Sequence, residues 1–222
     1  MDLIARLTAT VTDLMAANAR VLVGIDGPDA AGKTTIADRL AEELTDAGVQ
    51  PVRASVDDFH NPREVRTAQG ALSPEGCYRD SFNYPALRDG LLLPFANGAR
   101  KVVSQCFDYR LGVAAVTTGR VPERALLILD GVYLLRPALR DLWTLAVYLH
   151  VTPDVALERA KIRDRDLFGS IEEVERRYRQ RYLPAQDLYR MEADPERLAH
   201  VVIDNTDLAE SLVLRWQVPP RH

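Results

Sequence analysis

The sequence is poor in cysteine. Its 222 residues include only Cys77 and Cys106, which are far apart and belong to no Cys-x-x-Cys pair and no cysteine–histidine cluster. This spacing argues against a metal site built on cysteines, and it fits free thiols in a reducing compartment.

Long apolar runs and an excess of positive charge are also missing. No run approaches the roughly 20 residues that cross a bilayer, and the start Met1-Asp2-Leu3 lacks the basic residues of a signal peptide. The 28 lysines and arginines are outnumbered by 32 acidic residues, so no overall positive field attracts nucleic acid. We therefore expect a cytoplasmic protein without a membrane or nucleic-acid partner.

The composition that is present, 27% charged and 47% hydrophobic residues, is ordinary for a globular protein. The length suits one domain over residues 1–222, with two small domains as the alternative. Residues 2–18 place apolar side chains at helical spacing. Five short apolar runs indicate buried strands, at residues 21–25, 51–56, 125–131, 145–151 and 199–203. Strands alternating with helices predict an α/β fold with a doubly wound, mainly parallel sheet and helices on both faces.

The segments between the strands are less regular. Residues 61–84 are rich in proline, glycine and charge, and they indicate a long loop. We expect a helix over residues 85–95 and a hairpin formed by residues 101–107 and 114–118. Residues 171–190 indicate one long, charged helix.

One glycine-rich segment joins the first strand to the next helix. It has the spacing Gly-x-x-x-x-Gly-Lys-Thr of a phosphate-binding loop, between a strand and a helix as that loop requires. Its residues are Gly27, Pro28, Asp29, Ala30, Ala31, Gly32, Lys33, Thr34 and Thr35. Backbone N–H groups and the helix N-terminus would bind phosphate, Lys33 would reach the terminal phosphates of ATP, and Thr34 would hold Mg²⁺.

Three acids, Asp26, Asp57 and Asp130, follow predicted strands. The carboxyl ends of parallel strands meet at one edge of a sheet, where ligands bind. Asp130 fits the position of a carboxylate that holds Mg²⁺ directly or through water. The alternative for each acid alone is a helix cap or a turn residue.

A basic cluster follows the fourth apolar strand. Its members are Arg159, Lys161, Arg163 and Arg165. Arg159 and Arg163 share one helix face at the i, i+4 spacing. The cluster is either a solvated helix surface paired with neighbouring acids or a mobile lid whose arginines neutralise charge on a moving phosphoryl group.

Several segments follow the pattern of a known family. Residues 55–59 (Ser-Val-Asp-Asp-Phe) have the form Ser-x-Asp-x-Phe, and residues 81–87 (Ser-Phe-Asn-Tyr-Pro-Ala-Leu) are similar to Phe-Asp-His-Pro-x-Ala. Gly98 with residues 106–109 (Cys-Phe-Asp-Tyr) is similar to a glycine followed by Pro-x-Tyr-Asp-Phe.

Further matches are the acidic strand 127–131, Arg163-Asp164 with Gly169 in the basic segment, and the closing strand 199–203. Over a core of about residues 20–206, the chain thus resembles the uridine kinase and phosphoribulokinase family of P-loop kinases.

The resemblance implies an ATP- and Mg²⁺-dependent kinase that transfers the γ-phosphoryl group to a hydroxyl of a small molecule. It implies an acceptor-site insertion over about residues 57–120 and a small helical lid over about residues 159–185. The implied catalytic residues are Lys33, Asp57 (the base for the acceptor hydroxyl), Arg159, Arg163 and Arg165. The implied acceptor-binding residues are Asp57, Phe59, His60, Asn83, Tyr84, Phe107 and Tyr109.

The departures from the family concern the acceptor and the lid. Asn83 stands where uridine kinases have an aspartate for the sugar hydroxyls, and Gly112 stands where they have a histidine. Phe168 and Ser170 replace lid arginines, and Arg165 is the candidate to compensate for them. The acceptor is therefore either a nucleoside or another hydroxyl compound, pantothenate-like or sugar-like.

Two other classes of protein fit the sequence less well than a kinase does. A GTPase-type switch needs an Asn-Lys-x-Asp segment, which the sequence lacks, and residues 166–169 match Asp-x-x-Gly only within the basic segment. A nucleotide-binding module without catalysis is disfavoured by the joint presence of Lys33, Thr34, Asp57 and Asp130. A homo-oligomer is compatible with the sequence.

Overall fold

A computed structural model of the protein describes residues 2–108 and 111–218. Its strands are β1 (Arg20–Asp26), β2 (Val52–Ser55), β3 (Lys101–Asp108), β4 (Val113–Arg120), β5 (Ala125–Gly131), β6 (Leu145–His150), β7 (Val201–Asp204) and β8 (Leu212–Trp216). Its helices are α1 (Leu3–Ala17), α2 (Lys33–Asp46), α3 (Arg63–Arg66), α4 (Pro74–Asp80), α5 (Leu93–Ala96), α6 (Pro153–Arg163), α7 (Arg165–Phe168), α8 (Ile171–Arg177), α9 (Leu183–Ala193) and α10 (Pro195–Leu198).

Six strands form the central sheet in the order β2-β5-β1-β6-β7-β8, and only the β7–β8 pair is antiparallel. Successive side chains of a strand point to opposite faces of the sheet. Val21, Val23 and Ile25 therefore pack on one face with α1 and α2, whereas Leu22 packs on the other face. The predicted doubly wound α/β sheet with helices on both faces is confirmed.

The strand register brings the polar strand ends together. Asp130 at the end of β5 is the Cα partner of Ser55 on β2 and of Ile25 on β1. The phosphate-loop segment starts directly after β1, so it and Asp130 lie at the same edge of the sheet.

The segment 61–84 is not the loop that the sequence indicates, because it contains α3 and α4. The Ser73 hydroxyl accepts a 3.0 Å hydrogen bond from the Gly76 N–H, and Pro74 occupies the first turn of α4. Both features favour a helix start. α4 is held by burying Cys77 and Tyr78, which is a tertiary effect that local composition does not report.

Two predicted helices contain π-helical turns. The helix expected at 85–95 consists of a π-helical segment, Ala86–Leu92, followed by α5. The long helix expected at 171–190 runs from α8 through a π-helical turn, Tyr178–Tyr182, into α9. Such turns are often found at functional sites.

The hairpin is present as β3 and β4, which form a separate two-stranded sheet. The strand predicted at 199–203 is β7, but it is not the last, because β8 pairs beside it. The first three residues of β8 are exposed, so it lacks the apolar alternation of a buried strand. In the described part of the chain, no helix is both long and apolar enough to span a membrane.

Candidate active site

The glycine-rich loop between β1 and α2 needs its glycines. Gly32 has a φ of +91°, and Gly27 has a φ of +150°. A Cβ atom on Gly27 would lie 2.7 Å from the Leu149 carbonyl oxygen, and one on Gly32 would lie 2.8 Å from the Asn205 side-chain nitrogen. The loop can therefore adopt this path only with glycine at both positions.

Two side chains from later in the chain hold this loop. The Asn205 amide donates a 2.7 Å hydrogen bond to the Ala31 carbonyl oxygen. Arg159 Nη2 donates 2.9 Å hydrogen bonds to the carbonyl oxygens of Asn205 and Thr206, and its Nη1 lies 3.5 Å from the Ala30 carbonyl oxygen. Arg159, expected as a lid arginine, thus joins the loop to the segment after β7.

The Asp130 carboxylate, 2% exposed, uses both of its oxygens. Its Oδ2 accepts a 2.7 Å hydrogen bond from the Thr34 hydroxyl, and its Oδ1 accepts a 3.0 Å bond from Arg53 Nη2. The predicted pair of Thr34 and Asp130 is thus in direct contact. Arg53 is a partner that sequence reasoning missed.

Lys33 Nζ donates a 2.7 Å hydrogen bond to the Pro28 carbonyl oxygen inside the loop. Burial lowers the pKa of Lys33, and the carboxylates of Asp29, Asp26 and Asp130 oppose that shift. The ammonium group is held at the loop among carboxylates, where an incoming phosphate would exchange for the Pro28 contact.

A cavity of about 450 Å³ opens beside the loop. Of the residues predicted for the site, those that line it are Asp29, Lys33, Thr34, Asp57, His60, Asp130 and Arg163. The structure thus gathers side chains from the loop, the end of β2, the end of β5 and α6 around one space.

Asp57 and Asp58 have different environments. Asp57 lines the cavity, and partial desolvation there raises its pKa to about 6. The Asp29 carboxylate adds to this rise, and Lys33 opposes it. Asp58 instead accepts a 3.3 Å hydrogen bond from the Ser55 N–H and completes a capping box on the short turn that follows β2.

His60 follows on the same turn. Its Nδ1 lies 3.0 Å from the Asp57 carbonyl oxygen, and its ring packs on Phe82 with centroids 4.5 Å apart. Burial lowers the pKa of His60 to about 4, so the imidazole is neutral at physiological pH. A neutral ring at the cavity wall can hydrogen-bond a ligand without adding positive charge.

The side chains of Arg163 and Arg165 have different surroundings, although both residues were expected in the lid. Arg163 lines the cavity, where its Nε and Nη2 donate to the Asp164 carboxylate at 2.6 and 2.9 Å. Its Nη2 also lies 3.2 Å from the Tyr178 hydroxyl. Arg165 is exposed, pairs with Asp166 at 2.9 Å and does not line the cavity.

Four of the expected acceptor residues do not line the cavity. Phe59, Tyr84 and Phe107 are buried against other side chains. The Asn83 side-chain oxygen accepts a 3.0 Å hydrogen bond from the Ala86 N–H, so it caps the following helix. Tyr109 lies outside the described residues.

Sequence reasoning also missed part of the cavity wall. Arg66, Cys77 and Ser81 come from α3, α4 and the residue that follows α4, and Arg181 comes from the π-helical turn before α9. The first three lie in the segment that composition indicates as a loop. The local signals of order there are the serine at the α4 N-cap and the proline that follows it.

Behind the loop, Asp26 is 1% exposed and fully hydrogen-bonded. It accepts hydrogen bonds from the Gly27 N–H at 2.7 Å, the Leu135 N–H at 3.2 Å and the Tyr189 hydroxyl. Burial raises the pKa of Asp26 to about 6, and these donors and Lys33 oppose the rise. Asp26 therefore positions the start of the loop and does not face the cavity.

A strand–loop–helix phosphate site beside an acidic strand end is the arrangement of a P-loop nucleotide-binding protein. The family model described as the phosphoribulokinase/uridine kinase family matches residues 22–204. The chain belongs to that family.

Individual proteins agree with this assignment. The chain is 28% identical to a uridine kinase from Vibrio campbellii over 176 residues, 75% of this chain and 79% of that protein. It is 28% identical to a uridine kinase from Shewanella frigidimarina over 152 residues, 65% of this chain and 68% of that protein.

The fold is also found in solved structures. D-glycerate 3-kinase from Cryptococcus neoformans superposes with a TM-score of 0.67 at 14% identity, covering 96% of this chain and 100% of that one. A structure described as a possible uridine kinase from Bacillus stearothermophilus superposes with a TM-score of 0.68 at 21% identity, covering 89% and 98%. These likenesses show the fold.

Proposed function

We propose that the protein transfers the γ-phosphoryl group of ATP to a hydroxyl group of a small molecule. The observation that carries this proposal is that Asp57 lines the same cavity as Lys33, Thr34 and Asp130. In the transfer, the bond from the γ-phosphorus to ADP breaks, a bond from that phosphorus to the acceptor oxygen forms, and the hydroxyl proton goes to Asp57.

The loop supplies the nucleotide-binding groups. The backbone N–H groups of the loop, which residues 27–35 other than Pro28 carry, and the N-terminus of α2 favour bound phosphate, and Lys33 adds a charge-assisted contact. The hydrogen bonds from Asn205 and Arg159 keep the loop in this conformation before the nucleotide arrives, so less ordering is needed on binding.

The residues present fit Mg²⁺. The Thr34 hydroxyl and the Asp130 carboxylate are adjacent oxygen donors next to the loop, and oxygen donors suit this cation. Within residues 2–108 and 111–218, no three His, Cys, Asp or Glu side chains group around a metal position, so phosphate oxygens and water would complete the coordination. Bound Mg²⁺ would neutralise phosphate charge.

Asp57 is the proposed general base. Its pKa of about 6 is above that of an ordinary carboxyl group but still below neutral pH, so the carboxylate is available to accept the hydroxyl proton. Asp58 does not serve this role in our account, because its carboxylate is engaged with the Ser55 N–H.

Arg163 is the proposed lid arginine, within a lid over about residues 159–185 of a single kinase domain. It reaches the cavity wall while its neighbour Arg165 points to solvent. A guanidinium at this position would neutralise charge as the phosphoryl group moves. Arg159 instead supports the loop.

Two kinds of acceptor are compatible with the family. The relatives named uridine kinase support a nucleoside, whereas Asn83 and Gly112, which replace residues of uridine kinases, support another alcohol. Asn83 caps a helix and Phe107 is buried, so neither lines the cavity in which Asp57 lies. We therefore propose a hydroxyl compound other than uridine.

The test is ADP release from ATP and Mg²⁺ with a panel of nucleosides, sugars and hydroxy acids. We expect one class to stimulate ADP release in the wild type, with the phosphate ester found by mass spectrometry. Lys33→Ala should abolish the stimulation. Release of inorganic phosphate alone, with no phosphorylated acceptor across the panel, would contradict the proposed transfer.

A further inference from the structure

Two arginines of the cavity wall, Arg66 and Arg181, form no ion pair with any carboxylate of residues 2–108 and 111–218. Arg66 ends α3, and Arg181 lies in the π-helical turn Tyr178–Tyr182, so the two are far apart in sequence but share the wall. Arg181 Nη1 donates a 2.9 Å hydrogen bond to the Ala71 carbonyl oxygen, and its Nη2 lies 3.4 Å from the Arg66 carbonyl oxygen. These contacts fix the Arg181 guanidinium beside α3 without neutralising it.

Other arginines of the same helical segment form ion pairs with carboxylates. Arg176 and Arg177 pair with Glu173, and Arg179 pairs with Glu175, and none of these three arginines lines the cavity. Arg181 is only 6% exposed, yet within the described part of the chain it forms no ion pair. Exposed arginines are thus neutralised here, whereas the buried one is not.

Placing the half-buried guanidinium of Arg66 near the buried guanidinium of Arg181 is unfavourable. Burial lowers the pKa of Arg66, and the charge of Arg181 lowers it further. The Arg66 Nε is buried and has no hydrogen-bond partner among the described residues. An anion bound between the two guanidinium groups offsets both the burial of positive charge and the repulsion between the arginines. A guanidinium group matches the two-oxygen edge of a carboxylate or phosphate.

The other charged basic side chains of the cavity lie beside carboxylates. Lys33 is held at the phosphate loop among carboxylates, and Arg163 is paired with Asp164. The wall around Arg66 and Arg181 is formed instead by α3, α4 and the segment before α9 and contains Cys77 and Ser81. This wall is separate in the chain from the loop that would hold the nucleotide phosphates.

We propose that Arg66 and Arg181 bind an oxyanion of the acceptor, so that the substrate is an alcohol that also carries a carboxylate or a phosphate ester. This inference rests on the proposed phosphoryl transfer, with Asp57 in the same cavity accepting the proton of the hydroxyl. Arg66 and Arg181 would then select anionic alcohols over neutral ones of the same size.

Calorimetric titration of the full chain, with and without Mg²⁺ and ADP, tests the site. The probes are matched pairs, glycerate against glycerol for the carboxylate and ribose 5-phosphate against ribose for the phosphate ester. We expect at least one anionic probe to bind at least about tenfold more tightly than its neutral partner. The pair that shows this difference identifies the oxyanion.

Variants then assign the binding to these side chains. Arg66→Gln and Arg181→Gln should each weaken the anionic probe about tenfold or more while ADP affinity changes less than about twofold. Arg179→Gln, on the same helical segment but paired with Glu175 outside the cavity, is the matched control and should leave binding unchanged. Because Arg181 also holds the Ala71 carbonyl, Arg66→Gln keeps the test valid if Arg181→Gln unfolds.

Three outcomes would overturn the anion site: equal binding within both pairs, unchanged anion binding in Arg66→Gln, or displacement of the anion by ADP, which would assign the arginines to the nucleotide. Failure of the proposed function is separate. If the anion binds as expected but no alcohol is phosphorylated, the transfer is wrong and the anion site stands. If neutral alcohols are phosphorylated and anions do not bind, the anion site is wrong and the phosphoryl transfer stands.

Discussion

The Thr34 hydroxyl donates a 2.7 Å hydrogen bond to the Asp130 carboxylate, which joins the first turn of α2 to the end of β5. The two residues are 96 positions apart, and the parallel register of β1 with β5 brings them together. This contact places the two proposed Mg²⁺ donors beside the phosphate loop.

Lys33→Ala should weaken ATP binding at least about tenfold, because it removes a charge-assisted contact worth roughly 1.5–3 kcal/mol. Isothermal calorimetry with ATP and Mg²⁺ measures the effect. Lys101→Ala, an exposed lysine at the start of β3, is the control and should bind like the wild type. Unchanged affinity in folded Lys33→Ala would remove the phosphate-loop assignment.

Arg163→Ala should lower kcat far more than it weakens ATP binding. A lid arginine acts on charge that develops as the phosphoryl group moves, so its loss appears in the rate. The matched variant is Arg165→Ala, which removes an exposed arginine paired with Asp166. Steady-state kinetics should show a defect in the first and near wild-type turnover in the second. Equal defects in the two variants would show that Arg165 also acts in the active site.

The activity should fall on the acid side with an apparent pKa of about 6, because Asp57 must be ionised to accept a proton. The carboxylate of Asp29 raises the pKa of Asp57. Asp29→Asn should therefore move the acid limb of kcat/KM to lower pH. Circular dichroism across the same pH range checks that the fold persists. A limb that stays in place would mean that another group controls it.

Much of this site could be predicted from sequence, because its signals are local. The Gly-x-x-x-x-Gly-Lys-Thr spacing and the apolar run ending at Asp130 each depend on a few adjacent residues, and the structure brings Thr34 and Asp130 into contact. The roles of Asn205 and Arg159 could not be predicted in this way. They depend on carbonyl groups of the loop that only the folded chain brings near.

The predicted acceptor-binding residues show that similarity to a sequence motif does not determine which groups a side chain contacts. Asn83 stands at the position where uridine kinases have an aspartate for the sugar hydroxyls, yet its side chain caps the helix at Ala86. Arg66 and Arg181 carry no motif, and they meet because Arg181 donates to carbonyl groups of residues 66 and 71 across more than a hundred residues of sequence. Likewise, β8 is held by pairing with β7, and its exposed side chains give no periodic signal.

Tyr189→Phe should destabilise the protein by about 1–3 kcal/mol at about pH 8, because it leaves the buried Asp26 carboxylate with one donor fewer. The pKa of Asp26 in the folded protein, about 6, exceeds its ordinary value of 3.8. Its stabilising contribution is therefore complete below the ordinary value and is lost as pH rises through about 6.

Removing the tyrosine hydroxyl raises the pKa of Asp26 further, so the destabilisation should be smaller at about pH 5, where the carboxyl is largely protonated. Urea unfolding at the two pH values measures the difference. The same loss at both pH values would show that the hydroxyl does not stabilise the charged form of Asp26.

The most direct test follows γ-labelled phosphate from ATP to the acceptor in the wild type, Asp57→Asn and Asp58→Asn. Asparagine keeps the shape of aspartate but cannot accept the proton, so Asp57→Asn should still bind ATP and lose about two to four orders of magnitude in transfer. Asp58→Asn, which alters only the cap on the Ser55 N–H, should lose much less. The account predicts label in a phosphate ester, formed by the wild type and nearly abolished in Asp57→Asn. Label found only in inorganic phosphate, or a larger defect in Asp58→Asn, would contradict it.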